Sequence, residues 1–538
     1  MIAARQIITK HLAIIILIFI IGAYLVAKAL PETSWDGWRV GSAQALLSDK
    51  HWANDGFLKN YLLFLPQGYS KTVRYFDDPQ LRQHAKGITT GGLIGKRLYY
   101  THYPSGYLLP SALLMKLGTE SRSWFRFLEI LLSLGGLILL YWILNSVSNR
   151  LIAFFGALYY SISILFLDYA DALANQPIDE LLRFAIIALS LWLVKSGNKK
   201  LNYLIWILYF ILSISSYDST FFVFVWLVGI DLMILKKIEW KKWLFWTSAP
   251  ILAFGLQIFQ NHLYLGWRDM ILDFYGAFKV GIVGSRAGFF VSHLKRFIEP
   301  LGWFFDVKWY LGIFISALGI WLIKISKKYS EDKILNIRYL YLALAAILFH
   351  FLFFPSLFFY QGRLAAIFAA LLVGGLTYSL IQTVKRGWRN LTISFLIIAA
   401  FVASLWFIQA KRTYAYIKQW PNNVWPAESI NFDKKIKNLV FGDKVIFQIL
   451  GPDREIFGSD RYPMAASEDE YYIDAPILGF TNTDDLIRDF NYLKNRSEFP
   501  FNTIIIADQK PIIEEIKTKL KIKELVLKID NKFILIIK

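Results

Sequence analysis

The chain has 538 residues, 56% of them hydrophobic and 17% aromatic, with a formal net charge of +19. Its apolar residues come in long blocks rather than in the short alternations of a soluble fold, which excludes an ordinary soluble globular protein. Lys and Arg sit in short clusters between those blocks, so the charge marks membrane topology rather than nucleic-acid binding, and with no cysteine the chain has no disulfides and no thiolate metal ligands.

The first block, HLAIIILIFIIGAYLVAKAL from His11, is too long for a removable signal peptide and lacks its small-residue cleavage site, so a retained anchor is predicted. Arg5 and Lys10 precede it, which places the N-terminus in the cytoplasm by the positive-inside rule and brings Asp36 out on the far side. Five later basic stretches, Asn149-Arg150, Lys195 to Lys200, Lys236 to Lys242, Lys324 to Lys333 and Lys385 to Arg389, are expected to be cytoplasmic.

The number of crossings between Asp36 and Arg150 must therefore be odd. Of the two apolar stretches in that interval, Trp124 to Leu144 is long enough to span. Tyr107 to Leu117 is short, carries Pro110, follows Pro104 and contains Lys116, so an interfacial helix is predicted there. Val40, Ala43 and Leu47 at helical spacing predict a second interfacial helix.

The remaining blocks alternate in pairs: Leu151 to Leu167, Ile178 to Val194, Tyr203 to Ile214, Phe221 to Leu235 and Leu244 to Ile258. After an outer loop over 261–308 come Tyr310 to Ile323, Tyr339 to Pro355, Leu364 to Ile381 and Leu391 to Ile408. The sum is about eleven spans, some shorter than the roughly 20 residues a crossing needs. From Lys411 the composition changes to short β-rich runs, KVIFQIL, NTIIIAD and ELVLKIDNKFILIIK, with Asp530-Asn531 as a hairpin turn in the last. The expected organisation is a polytopic α-helical membrane module over 1–410, with a first outer loop at 31–123, and an α/β extracytoplasmic domain over 411–538. The tail carries no phosphate-binding loop and no nucleophile elbow.

Ionisable groups at span ends are functional candidates, and on the predicted outer side these are Asp36, His102, Asp168, Asp171, Asp179, Glu180, Asp218 and Arg363. Asp36, between Trp35 and Trp38, reads either as an interfacial acid in an aromatic belt or as a partly desolvated proton acceptor. Pro177 fits a first helical position, which would put Asp179 and Glu180 in a first turn, where acids complement the helix dipole. The other reading is a second carboxylate that binds an acceptor or a metal ion. His102 and Tyr103 could hydrogen-bond a lipid phosphate or be structural, and Arg363, which interrupts an apolar run, suits a phosphate clamp. Lys96-Arg97 reads as a solvated turn. Trp267-Arg268-Asp269, Arg286 and His293 give 261–308 the character of a lid or of a plain connector.

This layout resembles the GT-C glycosyltransferases, in the branch with the dolichyl-phosphate-mannose protein mannosyltransferases and the aminoarabinose transferases. The resemblance lies in Asp36 after the first span, in VGSAQALLSDKHW following it, in HYPSGYLLPSALLMKLG closing the first outer loop, in Gln176 to Leu181, and in Arg363-Leu364. It departs where Gly37 stands in place of a second acid and where Tyr103-Pro104-Ser105 replaces a Lys-Pro-Pro of some members.

The resemblance implies inverting transfer of a sugar from a polyprenyl-phosphate donor to a lipid, glycan or protein hydroxyl. Asp36 would accept the proton and His102, Tyr103 or Arg363 would meet the donor phosphate. No cofactor is certain, and a divalent metal is left open. The partners implied are the lipid-linked donor, the acceptor and membrane lipids, with no nucleic acid. The Ile, Lys and Asn richness points to a bacterial inner membrane and an undecaprenyl carrier. A transporter, with midplane charges and repeated halves, and an envelope assembly protein are the rival expectations.

Overall fold

The computed structural model describes residues 2–31, 33–36, 39–64, 101, 103–119, 121–283, 337–353, 363–385, 393–419, 427–439, 444–449, 472–473, 475, 477–480, 482–495 and 502–537. Of the expected features, His102, Lys96-Arg97, Arg286, His293 and the span at Tyr310 to Ile323 lie outside the described residues. The chain divides into two compact units: 1–37 with 121–259 and 278–423, and 38–120 with 260–277 and 424–538.

The first unit is helical. Its first helix, Ile2–Ala29, shows Phe19 at 76% and Ile20 at 58% exposure beside a buried stripe of Ile14, Leu17, Ile21 and Leu25. An apolar exposed face opposite an apolar buried one is what a lipid-facing helix presents. By length and composition, three helices among the described residues suffice to cross a membrane: His11–Ala29, Arg122–Val147 and Tyr217–Leu235. Leu201–Ser213, Ile337–His350 and Ala366–Gln382 are shorter apolar helices.

The stretch expected as one span from Leu151 to Leu167 is broken. Its helix runs Arg150–Ser161, and a short helix, Ile164–Tyr169, follows. Ser163 makes the break, since its hydroxyl accepts from the Phe166 amide at 3.2 Å and so caps a new helix instead of continuing the old one. The Arg150–Ser161 helix packs closely on Ala366–Lys385. A Cβ on Gly156 would lie 2.6 Å from the Ala370 carbonyl oxygen, and one on Gly374 would lie 2.4 Å from that of Ile152. Small residues permit this approach, and it fixes Arg363, just ahead of the second helix, against the residues around the break. Past the expected span end at Ile408, the Ile393–Gln419 helix continues and carries Tyr416 to the same region.

In the second unit Arg39–Asp55 and Leu109–Lys116 are both helical, the latter led by Pro110 in its first turn. The tail forms a sheet of order β2-β1-β3-β5-β4, from Lys444–Ile449 (β1), Ile477–Phe480 (β2), Asn502–Ala507 (β3), Val526–Ile529 (β4) and Lys532–Ile537 (β5). β1, an interior strand, is parallel to β2 and β3 and buried along its whole length, as a strand covered on both faces must be. β4 and β5 pair antiparallel through Asp530, which takes the left-handed conformation the turn demands. Leu63 and Tyr61, with Tyr264, pack into the core on one side of this sheet. Residues 261–283, expected as loop, are helical as the end of Trp240–Val283, with an interruption at Gly266 where φ is 74°. A residue without a Cβ meets that conformation at least cost.

Asp49 is fully buried in the second unit. Burial pushes its carboxyl well above the usual range, and the Ser111 hydroxyl offsets this only in part. A raised acid favours the neutral fold, so its stabilising contribution is complete at low pH and is lost as pH rises through the raised value. Asp49→Asn, which cannot ionise, is expected to melt higher than the wild-type protein at pH 8, with the difference shrinking toward pH 5. Thermal unfolding in detergent across that range checks this, and parallel pH slopes for the two proteins would refute it.

Candidate active site

Asp36 leaves the first helix on a short segment that is tied to its neighbours on every side. Ser34, two residues earlier, donates through its hydroxyl to the Lys28 carbonyl at 2.7 Å. The Ser34 carbonyl accepts from Arg122 Nη2 at 2.6 Å and from Arg126 Nη1 at 2.8 Å. The Arg122 guanidinium lies 4.3 Å from the centre of the Trp35 ring, in cation–π range. Asp36 itself is 2% exposed.

Behind this segment lies a buried ionic cluster. Asp171 pairs with Lys28 Nζ at 2.7 Å and with Arg126, whose Nε reaches it at 3.1 Å. Burial alone would raise the Asp171 carboxyl, but Lys28 and Arg126 outweigh it and hold the group below the usual carboxylate range. Lys28 also donates to the Leu167 carbonyl at 2.6 Å, and the Tyr416 hydroxyl donates to Asp168 at 3.0 Å. Burial raises the Asp168 carboxyl against the opposing pull of Lys28.

Arg363 is buried, with its guanidinium 5.3 Å from the centre of the Tyr169 ring. Burial pushes the Tyr169 hydroxyl up to about 12, with Asp168 and, more weakly, Asp36 acting in the same direction and Arg363 opposing them. Tyr169 therefore feels both the Asp36 and the Arg363 charges. Arg363 Nη2 lies 3.4 Å from Glu180 Oε2, while Tyr160 donates to Glu180 Oε1. None of the three Arg363 guanidinium nitrogens has a hydrogen-bond acceptor among the described residues. A buried guanidinium with unused donors is costly to the fold, and an anionic ligand would relieve that cost.

The structure thus gathers Asp36, Asp168, Asp171, Glu180 and Arg363 at one end of the first unit. Asp179 is engaged differently: its Oδ2 accepts from Arg183 Nη1 at 3.0 Å and from the Ser219 hydroxyl at 2.7 Å, and Asp218 faces His350 Nε2 at 3.3 Å. The expected first-turn placement of Asp179 and Glu180 is corrected, because the helix begins at Asn175 and both acids lie beyond its first turn. Pro177 does not mark the helix start, since a residue without an N–H is tolerated anywhere in the first turn, where amides have no intrahelical acceptor. Tyr103 belongs to the second unit, where it is half-buried ahead of the Gly106–Leu108 turn.

Asp179 and Glu180 also fit a divalent metal poorly. Each faces an arginine, which would repel a cation, and among the described residues no three His, Asp or Glu side chains converge. Lys28, Arg122, Arg126 and Tyr169 escaped the reading of the sequence. The signal available was the pair Arg122 and Arg126, four residues apart at the start of an apolar helix, on the side where the expected topology leaves few basic residues.

The sequence matches no protein-family model and no curated protein. In overall structure the chain is similar to ArnT from Cupriavidus metallidurans bound to undecaprenyl phosphate, with a TM-score of 0.56 at 10% identity over 97% of each chain. It is also similar to the apo state of that protein, with a TM-score of 0.51 at 11% identity over 97% of each chain. A looser likeness, at TM-score 0.44 and 11% identity over 96% of this chain and 69% of the other, is to the oligosaccharyltransferase AglB from Archaeoglobus fulgidus. The fold is therefore that of the GT-C membrane glycosyltransferases, and the chain is an integral membrane protein.

Proposed function

We propose that the protein is an inverting glycosyltransferase that moves a sugar from a polyprenyl-phosphate donor to an acceptor hydroxyl at the outer face of a bacterial inner membrane, with its N-terminus in the cytoplasm. The observation that carries this reading is the buried Arg363 guanidinium, which has no hydrogen-bond acceptor among the described residues, in the same compact unit as the buried carboxylate Asp36. One group is suited to a phosphate and the other to a proton. The likeness to a protein bound to undecaprenyl phosphate supports the donor class.

In this mechanism the acceptor oxygen attacks the anomeric carbon as its proton passes to the Asp36 carboxylate. The bond between the anomeric carbon and the phosphate oxygen breaks, and its electron pair leaves on the lipid phosphate. Arg363 meets the charge that develops there. His102 and Tyr103 are proposed as further donors to the same phosphate. Glu180, which orients Arg363, is favoured over Asp179 as the second acid, because Asp179 is already held by Arg183 and Ser219.

The test is transfer from a labelled polyprenyl-phosphate monosaccharide by membranes containing wild-type, Arg363→Lys or Arg363→Met protein at matched expression. Arg363→Met is expected to lower transfer by about 100-fold to 1,000-fold, as removal of a transition-state donor does. Arg363→Lys should fall between, since a point charge cannot replace the planar fork. Equal rates for all three would remove Arg363 from the phosphate site.

A further inference from the structure

We propose that Arg122 and Arg126 are positioning residues for Asp36, acting through the Ser34 main-chain carbonyl. The proposal rests on the reading of Asp36 as the proton acceptor. A carbonyl oxygen has two lone pairs, and here each receives a charge-assisted hydrogen bond, at 2.6 Å from Arg122 and 2.8 Å from Arg126. Two peptide links separate that oxygen from Asp36, so holding it in place narrows the positions the carboxylate can take. Trp35, between them, is held as well, by the Arg122 guanidinium over its ring.

The two arginines stand four residues apart and project from one face of the Arg122–Val147 helix. Arg126 is itself oriented by Asp171, which Lys28 at the end of the first helix also grips. Lys28 closes the circuit, because its own carbonyl accepts from the Ser34 hydroxyl. The segment carrying Asp36 is thereby clamped to two helices at its beginning and at Ser34. Directing two buried guanidinium groups at one main-chain carbonyl is more than an ordinary loop needs. It is a suitable way to fix a base within the small tolerance that proton transfer allows.

The contacts of Arg122 differ from those of Arg126 in a useful way. Its contacts with the Ser34 and Pro31 carbonyls and with the Trp35 ring lie outside the Lys28, Asp171 and Arg126 ion cluster. Arg122→Lys therefore disturbs the positioning contact while leaving the ionic cluster whole, and it remains informative if Arg126→Lys does not fold.

The deciding experiment is a double-substitution cycle on the full-length protein in detergent or proteoliposomes, with Arg122→Lys and Asp36→Asn made singly and together. Melting temperature, donor KM, kcat and the pH profile of kcat/KM are measured for each. Arg122→Lys is expected to keep its melting temperature and donor KM, to lose about 100-fold in kcat, as a misplaced catalytic group does, and to shift the acid limb of the profile. Its loss should vanish in the Asp36→Asn background, because residues acting as a unit are not additive. A wild-type kcat for Arg122→Lys, or a loss that multiplies with that of Asp36→Asn, overturns the positioning role. Full activity of Asp36→Asn alone overturns instead the reading of Asp36 on which the proposal rests.

Discussion

Asp36→Asn is expected to lower sugar transfer by about 100-fold to 10,000-fold, the range that general-base catalysis supplies. The asparagine has nearly the same shape and should keep its place in the buried site. It cannot accept a proton. Donor KM is therefore expected to stay near the wild-type value while kcat falls, which is the pattern of an interaction used only in the transition state. The acid limb of the pH profile, which reports the essential base of the free enzyme, should disappear with the carboxylate. Asp36→Glu, which lengthens the arm in a site with 2% exposure, is expected to recover part of the rate. Kinetics with a labelled lipid-phosphate sugar from pH 4 to 9 check all three statements. An unchanged kcat for Asp36→Asn would return Asp36 to the aromatic belt.

Several parts of this arrangement could be read from residues alone, each for a local reason. Asp36 and Arg363 stand out because a charge beside a long apolar block is rare, and the strands of the tail stand out because β-branched runs alternate with amphipathic segments. The GT-C fold followed from the order of a few short motifs. What could not be read depended on contacts distant in sequence. Lys28 looks like an ordinary basic residue closing an apolar helix, and only the fold reveals that it meets Asp171, 143 positions later.

The break at Ser163 was hidden for a different reason. Ile162, Ile164, Leu165 and Phe166 keep the hydropathy of a span, while a single hydroxyl redirects the backbone. Pro177 misleads about the helix start, since a proline in the first turn does not say which of its positions it occupies. Past Ile408 the change of composition at Lys411 suggested an end to helix, but Lys411 and Arg412 are good helix formers, and Thr413 and Tyr416 are fastened to residues 162 and 167–168.

The ion cluster behind Asp36 should dominate stability. Asp171 is the carboxylate shared by Lys28 and Arg126, and all three side chains are almost fully buried. Asp171→Asn would leave two buried cations without it, and breaking a buried pair in this way costs about 3–5 kcal/mol. That is expected to be the largest loss from any single substitution named above. Adding Lys28→Met should recover part of it by removing one of the stranded charges, a coupling that independent sites would not show. The pH dependence has a fixed sign. Because Lys28 and Arg126 depress the Asp171 carboxyl, its contribution is fully present above the ordinary carboxylate value of about 3.9 and is lost as pH falls through the depressed value below it. Thermal unfolding of wild-type protein should therefore steepen at the acid end, and Asp171→Asn should be less stable near neutrality and lack that steepening. If Asp171→Asn melts with the wild-type protein at pH 7, the cluster is not what holds the two helices and the Asp36 segment together.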